Sequence, residues 1–248
     1  MDLQTFFQAN PKVAIAFSGG VDSAYLLYMA VTCGAEVGAY YLKSAFQPQF
    51  EFEDATRIAA ELDIGLRVIP ADMLTNDQIT ANPQNRCYFC KRVAFELIGR
   101  AAQSDGFPVL LDGTNASDSA QDRPGMRALR ELAVRSPLRE CGLTKQEIRQ
   151  LSKQAGLATW NKPAYACLAT RIPPGEVITR EKLQATESAE KHLHELGFAD
   201  FRVRMLGTAA RLQVPASQFE RALALREQIV AEFKRYYSAV LLDLEARP

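Results

Sequence analysis

The sequence predicts an α/β fold: a parallel sheet with helices on both faces, followed by a small α+β C-terminal domain. Three observations predict it. Short apolar runs alternate with helix-patterned segments over the first two-thirds of the chain, the pattern that builds a parallel sheet covered on both sides. A Gly-containing turn joins the first apolar run directly to a helix. A Pro- and Gly-rich stretch from Pro163 to Thr179 then separates this part from a helix–strand–strand–helix–strand remainder. The expected domains are residues 1–165 and 166–248.

Lys12 to Phe17 is apolar and short enough for a buried strand, and Ala24 to Ala30 reads as the helix after it. Glu36 to Leu42 is the second strand, Phe52 to Leu62 a helix, and Leu66 to Pro70 the third strand. Lys91 to Gln103 is helical, and Val109-Leu110-Leu111 leads as a strand into Asp112-Gly113-Thr114-Asn115. Thr144-Lys145-Gln146-Glu147 is a capping box that starts another helix, and Gly156 ends it. In the remainder, Arg180 to Leu196 is a helix and Phe201 to Leu206 and Ala209 to Val214 are strands. Ser217 to Arg235 is a helix and Ala239 to Leu244 a last strand. That order suggests a ferredoxin-like arrangement.

The 248 residues carry 48% hydrophobic side chains, enough for a proper core, with Lys+Arg and Asp+Glu both at 29. A net charge of zero argues against a broad nucleic-acid or membrane surface. Met1-Asp2-Leu3-Gln4 lacks the basic and apolar regions of a signal peptide, and no apolar run has the length of a membrane span. Five cysteines without an export signal are expected as reduced thiols in the cytoplasm.

The chemistry starts at Ser18-Gly19-Gly20-Val21-Asp22-Ser23. Two glycines permit a tight turn and close approach of a ligand to the backbone. The helix that follows offers unpaired N–H groups and a positive dipole end to an anion, and Ser18 and Ser23 add hydroxyl donors. This is a phosphate cradle without the Gly-Lys-Ser/Thr ending of the common P-loop. An ordinary strand-to-helix turn is the competing reading. Ligands of such sheets sit at the carboxyl ends of strands, where both this loop and the Asp112 turn fall.

Cys87-Tyr88-Phe89-Cys90 is a CxxC pair after a loop and before a helix, with a third cysteine, Cys167, near the domain junction. A redox disulfide, a zinc site and an iron–sulfur cluster on three cysteines remain open for them. Cys33 and Cys141 read as packing thiols. His192 and His194 have no spaced partner and read as solvated residues of a polar helix.

Phe201 to Val214 reads as a hairpin around Gly207-Thr208. With a two-residue loop Arg204 faces Arg211, Arg202 shares their face, and Val203, Met205, Leu212 and Val214 turn to the core. Like charges directly opposite destabilise a sheet. A bound anion would relieve them, and arginine suits phosphate. Arg202 and Arg204 are therefore the candidate substrate-phosphate ligands; a wet sheet face is the alternative.

Taken in order, these segments resemble one family. They are Ser18–Ser23, Asn85–Lys91 around the CxxC, Asp112–Asn115, Arg123-Pro124-Gly125, Ser136-Pro137-Leu138, Trp160–Pro163 and Ala166–Pro173. The first is similar to the pyrophosphate loop of the N-type ATP pyrophosphatases. The whole set, over nearly the full chain, resembles the LarE family, ATP-dependent sulfur transferases of nickel-pincer nucleotide cofactor biosynthesis.

The resemblance implies an enzyme that adenylates the carboxylates of pyridinium-3,5-biscarboxylic acid mononucleotide with ATP and replaces oxygen by sulfur. In some members a cysteine at the place of Cys167 is sacrificed as the sulfur donor. The presence of Cys87, Cys90 and Cys167 points instead to members with a [4Fe–4S] cluster. The implied roles put Ser18, Gly19, Gly20 and Ser23 on phosphates and Asp22 near Mg²⁺, which prefers oxygen ligands. Asp112 and Asn115 orient the adenylating centre or simply form a strand-end turn. Glu190 matches a family acidic position, which implies a substrate-binding role beside Arg202 and Arg204, or is solvated. The implied partners are the small nucleotide substrate, a sulfide donor and further copies of the chain, with no membrane or nucleic acid.

Two other readings compete. A tRNA-thiolating enzyme of the same superfamily would want a basic tracking surface. A non-catalytic ATP-binding protein would use the cysteines for zinc or redox sensing.

Overall fold

The computed structural model describes residues 1–118 and 124–247. Helix α1 spans Leu3–Ala9, strand β1 Lys12–Ala16, α2 Val21–Thr32 and β2 Glu36–Lys43. Next come α3 (Gln49–Glu61), β3 (Leu66–Pro70), α4 (Asp77–Thr80), α5 (Arg86–Ser104) and β4 (Val109–Leu111). Three further helices follow, α6 (Pro124–Glu131), α7 (Pro137–Glu140) and α8 (Lys145–Gln154). The rest comprises α9 (Arg180–Glu195), β5 (Arg202–Leu206), β6 (Ala209–Gln213), α10 (Phe219–Ala224), α11 (Arg226–Phe233) and β7 (Val240–Leu242).

The chain divides into two compact units: residues 1–72 with 85–162, and residues 73–84 with 163–248. The first holds a four-stranded sheet in the order β3-β2-β1-β4, parallel throughout. Its central strand β1 is buried on both faces, and each face takes alternate side chains. Val13 and Ile15 point into the cluster with Tyr25, Leu26, Ile58 and Ile148 from α2, α3 and α8. Ala14 and Tyr40 point the other way, into the cluster with Ile98 and Ala102 of α5. Order reverses at β1, with β2 on one side and β4 on the other. That reversal opens a crevice at the carboxyl ends of β1 and β4. The capping box at Thr144 is formed, Thr144 and Glu147 bonding reciprocally at the start of α8.

The second unit holds a three-stranded sheet, β5-β6-β7, with β5 antiparallel to β6 and β6 parallel to β7. A ferredoxin-like unit needs a β-α-β-β-α-β chain. No strand precedes α9 among the described residues of this unit, so the arrangement is α-β-β-α-β. The hairpin has the expected two-residue loop, and Arg204 pairs with Arg211 and Arg202 with Gln213. Val203, Leu212 and Val214 are buried against Leu193, Phe201 and Phe233. The helix expected over Ser217–Arg235 is broken: α10 and α11 meet at Leu225, whose φ is −97° and ψ 11°.

Residues 73–84 are tied into the second unit by backbone bonds from Ile178 N to Thr80 O and from Gly175 N to Asn82 O, 2.8 Å each. The Asn82 amide adds a bond to Pro173 O at 2.7 Å. Among the described residues no helix is long and apolar enough to cross a membrane.

Candidate active site

The loop between β1 and α2 lies at the crevice. Gly19 has φ +69°, and a Cβ there would stand 2.8 Å from Ala55 Cα, so only glycine fits. Weak hydroxyl bonds shape the turn. Ser18 N donates to Ser23 Oγ at 3.3 Å, Ser23 Oγ donates to Gly20 O at 3.2 Å, and Gly20 N approaches Ser18 Oγ at 3.4 Å. Gly20 is the N-cap of α2 and supplies no side-chain acceptor. The first N–H groups of α2 thus lack the closure that Thr144 gives α8.

The Asp112 turn packs on this loop; a Cβ on Gly113 would meet Ser23 N at 3.1 Å. Asp112 is buried at 5% exposure and committed. Ser136 Oγ donates to its Oδ1 at 2.6 Å and Thr114 Oγ1 to its Oδ2 at 2.5 Å. Ser136 arrives because Arg135 pairs beside β4, Asp112 N donating to Arg135 O at 2.9 Å. Asp112 thus fixes the turn, and it also lines the cavity at this loop. Asn115 donates from Nδ2 to Asp22 Oδ1 at 3.3 Å, so it acts on the loop through Asp22.

The loop region contains lysines that its own sequence lacks. Lys145, at the start of α8, places Nζ 2.5 Å from Asp22 Oδ2. Lys162 donates to Gly19 O at 3.3 Å and pairs with Asp54 at 2.9 Å and Glu51 at 3.6 Å. Arg149 of α8 fixes the backbone there, donating to Trp160 O at 2.7 Å and Lys162 O at 2.8 Å. Burial raises the Asp54 carboxyl pKa, but Lys162 and Arg57 outweigh it and hold the group below its ordinary value. Lys91 of α5 stands 4.0 Å from Asp112. A cavity of about 630 Å³ opens beside this loop, and its lining includes Ser18, Asp22, Ser23, Glu51, Cys87 and Lys91. Residues far apart in sequence supply these cations, so no local motif could have announced them.

The CxxC pair lies inside α5, not ahead of it, because the helix starts at Arg86. Cys87 and Cys90 are three residues apart on one helical face, Cys87 exposed and Cys90 half-buried. All five cysteines are thiols. Cys33 and Cys141 differ from the others: both pack against the main core, and burial pushes both thiols up. Among the described residues no group of three or more His, Cys, Asp or Glu assembles as a metal site. Cys87 and Cys90 lie in the first unit and Cys167 in the second. Arg123 of the Arg-Pro-Gly segment lies outside the described residues.

In the second unit Arg202 is buried at 7% exposure and Arg204 half-buried. Burial first, and then the charge of Arg171, push both guanidinium pKa values down. Arg211 adds to this at Arg204, and Arg247 at both. Crowded cations of this kind gain from an anion. Glu190 is not solvated: it is 1% exposed and pairs with Arg171 at 2.7 Å. His192 also departs from expectation, being half-buried with an Nε2 that has no hydrogen-bond partner. His194 is exposed and lies edge-on to Phe201.

No protein-family model matches the chain. Curated relatives do. Over 98% of this chain and 92% of its own length, an uncharacterised protein of Synechocystis sp. is 38% identical. A pyridinium-3,5-bisthiocarboxylic acid mononucleotide synthase of Lactiplantibacillus plantarum is 31% identical over 94% of this chain and 86% of its own. The chain belongs to the LarE family. A tRNA-specific 2-thiouridylase of Fervidobacterium nodosum, 25% identical over 85% of this chain and 74% of its own, marks the wider PP-loop superfamily. This LarE-family chain is an ATP-dependent sulfurtransferase.

Proposed function

We propose that this protein adenylates the carboxylates of pyridinium-3,5-biscarboxylic acid mononucleotide and converts them to thiocarboxylates, in nickel-pincer nucleotide cofactor biosynthesis. The observation that carries the reading is the uncapped start of α2, at the sheet's order reversal, with Lys145 and Lys162 drawn to it. The similarity to the L. plantarum pyridinium-3,5-bisthiocarboxylic acid mononucleotide synthase supports the thiocarboxylated product.

A carboxylate is a poor electrophile because oxide leaves badly. A carboxylate oxygen attacks the α-phosphorus of ATP, pyrophosphate leaves, and an acyl adenylate forms. Hydrosulfide then attacks the acyl carbon, the C–O bond to AMP breaks, and a proton is released. The loop N–H groups, Ser18 and Ser23 hold the departing phosphates, and Lys145 neutralises charge that grows on them. Asp22, the carboxylate that Asn115 and Lys145 aim, offers Mg²⁺ a hard oxygen ligand. Arg202 and Arg204 take the substrate's phosphate.

Soft thiols suit an iron–sulfur cluster by chemistry, and two of the three lie on one helical turn. In this reading Cys87, Cys90 and Cys167 would hold it, and the cluster would supply an open iron for sulfide. The five reduced thiols suit a cytoplasmic protein.

ATP–pyrophosphate exchange tests the function: exchange that depends on the dicarboxylate mononucleotide is expected, and exchange driven by tRNA instead would overturn it. Anaerobically purified protein is expected to carry about four irons and four sulfides per chain, lost in Cys87→Ala. Stoichiometric zinc would overturn the cluster but not the adenylation. Arg202→Ala/Arg204→Ala is expected to raise KM for the mononucleotide by about 100-fold, each charge-assisted bond giving roughly 1.5–3 kcal/mol; an unchanged KM would remove the phosphate role.

A further inference from the structure

The segment Ala164–Arg171, which carries Cys167, is irregular apart from one short turn at Leu168–Arg171. An irregular segment is ordinarily mobile, yet this one is fixed at both ends and in the middle by charged or buried donors. Arg202 donates from Nη2 to Ala164 O at 2.5 Å. Arg204 donates from Nη1 to Thr170 O at 2.9 Å. Between them, Thr170 N and Thr170 Oγ1 both donate to Cys167 O, at 3.0 and 2.8 Å. The same Thr170 hydroxyl accepts from Arg171 Nη1 at 2.7 Å.

Glu190 is the hub. Its Oε1 takes Arg171 Nε at 2.7 Å and Val203 N at 2.9 Å. Its Oε2 takes Arg171 Nη2 at 3.2 Å and the Tyr165 hydroxyl. The Arg171 and Arg202 guanidiniums lie 4.7 and 5.2 Å from the Tyr165 ring centre. Arg171 and Glu190 side chains are 0% and 1% exposed. An ion pair so deeply buried is weak evidence of stabilisation, so it calls for another use.

We infer that Glu190, Arg171, Tyr165 and Thr170 are positioning residues that clamp the Cys167 backbone for sulfur transfer. The inference rests on the proposed role of Cys167. Arg202 and Arg204 share the task without losing their phosphate role, because a guanidinium has five N–H donors and the segment takes one from each. The sequence reading places Arg202 and Arg204 on one sheet face, with Arg204 opposite Arg211; it does not reveal that each also donates to a carbonyl of the cysteine segment.

The test follows hydrogen exchange of the peptide covering 163–172 in the full chain, beside sulfur transfer and ATP–pyrophosphate exchange. The wild-type peptide is expected to exchange far more slowly than an unstructured segment; exchange at the unstructured rate overturns the clamp outright. Thr170→Val and Tyr165→Phe keep the side-chain volume and each remove one hydroxyl. Each is expected to speed exchange of this peptide by about fivefold, the factor for one lost hydrogen bond. Each should lower kcat of sulfur transfer while leaving ATP–pyrophosphate exchange and its KM for ATP unchanged. Thr170→Ser, which retains the hydroxyl, should restore both. Transfer abolished in Cys167→Ala but unchanged in Thr170→Val overturns the clamp alone. Full transfer in Cys167→Ala overturns the role of Cys167 on which it rests.

Discussion

The Ser18–Ser23 turn into α2 and the Ala164–Arg171 segment both carry groups given a role in the proposed chemistry, and they are held differently. The turn of the loop is shaped by neutral, long bonds of 3.2 to 3.4 Å among its own residues, and lysines reach it from outside at Asp22 and at the Gly19 carbonyl. Its N–H donors are left for a ligand to satisfy. The cysteine segment is gripped by arginines and a buried glutamate at 2.5 to 2.9 Å. A phosphate brings charge and completes its own cradle. A thiol brings neither, so the protein itself must fix it. Preorganisation is built where the ligand cannot supply it.

The sharpest way to break this contrast is to strip the cysteine segment of its charge. Arg171→Met leaves Glu190 buried and unpaired, and is expected to destabilise the protein by roughly 3–5 kcal/mol in urea unfolding. Adding Glu190→Gln should recover a large part of the loss; no recovery would mean that packing, not charge, dominates there. Next is Gly19→Ala, which forces an alanine to φ +69° against the Ala55 backbone. Displacing the loop by a fraction of an ångström is expected to lower ATP–pyrophosphate exchange about 100-fold, with the hydrogen exchange of residues 163–172 unchanged.

A smaller effect separates the loop's cations from its backbone. Lys145→Met removes the charge beside Asp22 and is expected to cut kcat/KM for ATP by about tenfold, one charge-assisted bond. An unchanged value would leave Lys145 as a surface ion pair only. The smallest effect is acid sensitivity at Lys162. Asp54 has a pKa below its ordinary 3.8 when folded. Its contribution is therefore present above that value and is lost as pH falls through the lower folded value. Lys162→Met is expected to flatten stability below about pH 4 by less than about 1 kcal/mol, read from urea midpoints against pH.

Much of this was legible along the chain. The central parallel strand β1 shows as an apolar run because both its faces are buried. The hairpin register follows from period-two alternation around a two-residue turn. The capping box is local chemistry and formed as read. Other features were invisible for stated reasons. Ala222, Leu225, Ile229 and Phe233 keep helical spacing straight through the break at Leu225, so periodicity could not mark it. Glu190 looked like one more acid on a polar helix; only the strand beneath and Arg171 show it to be buried. Residues 73–84 have no composition that separates them from their neighbours, and backbone bonds to residues 175 and 178 put them in the second unit.

The sequence by itself determined the alternation of strands and helices, the glycine loop between β1 and α2, and the Cys87–Cys90 spacing, because each depends on residues close together in the chain. Tertiary structure alone decided which cations reach that loop and which groups grip Cys167. Lys145, Lys162, Arg171 and Glu190 lie far in sequence from at least one group they serve, and only the packing of helices on sheets brings such charges within hydrogen-bond reach.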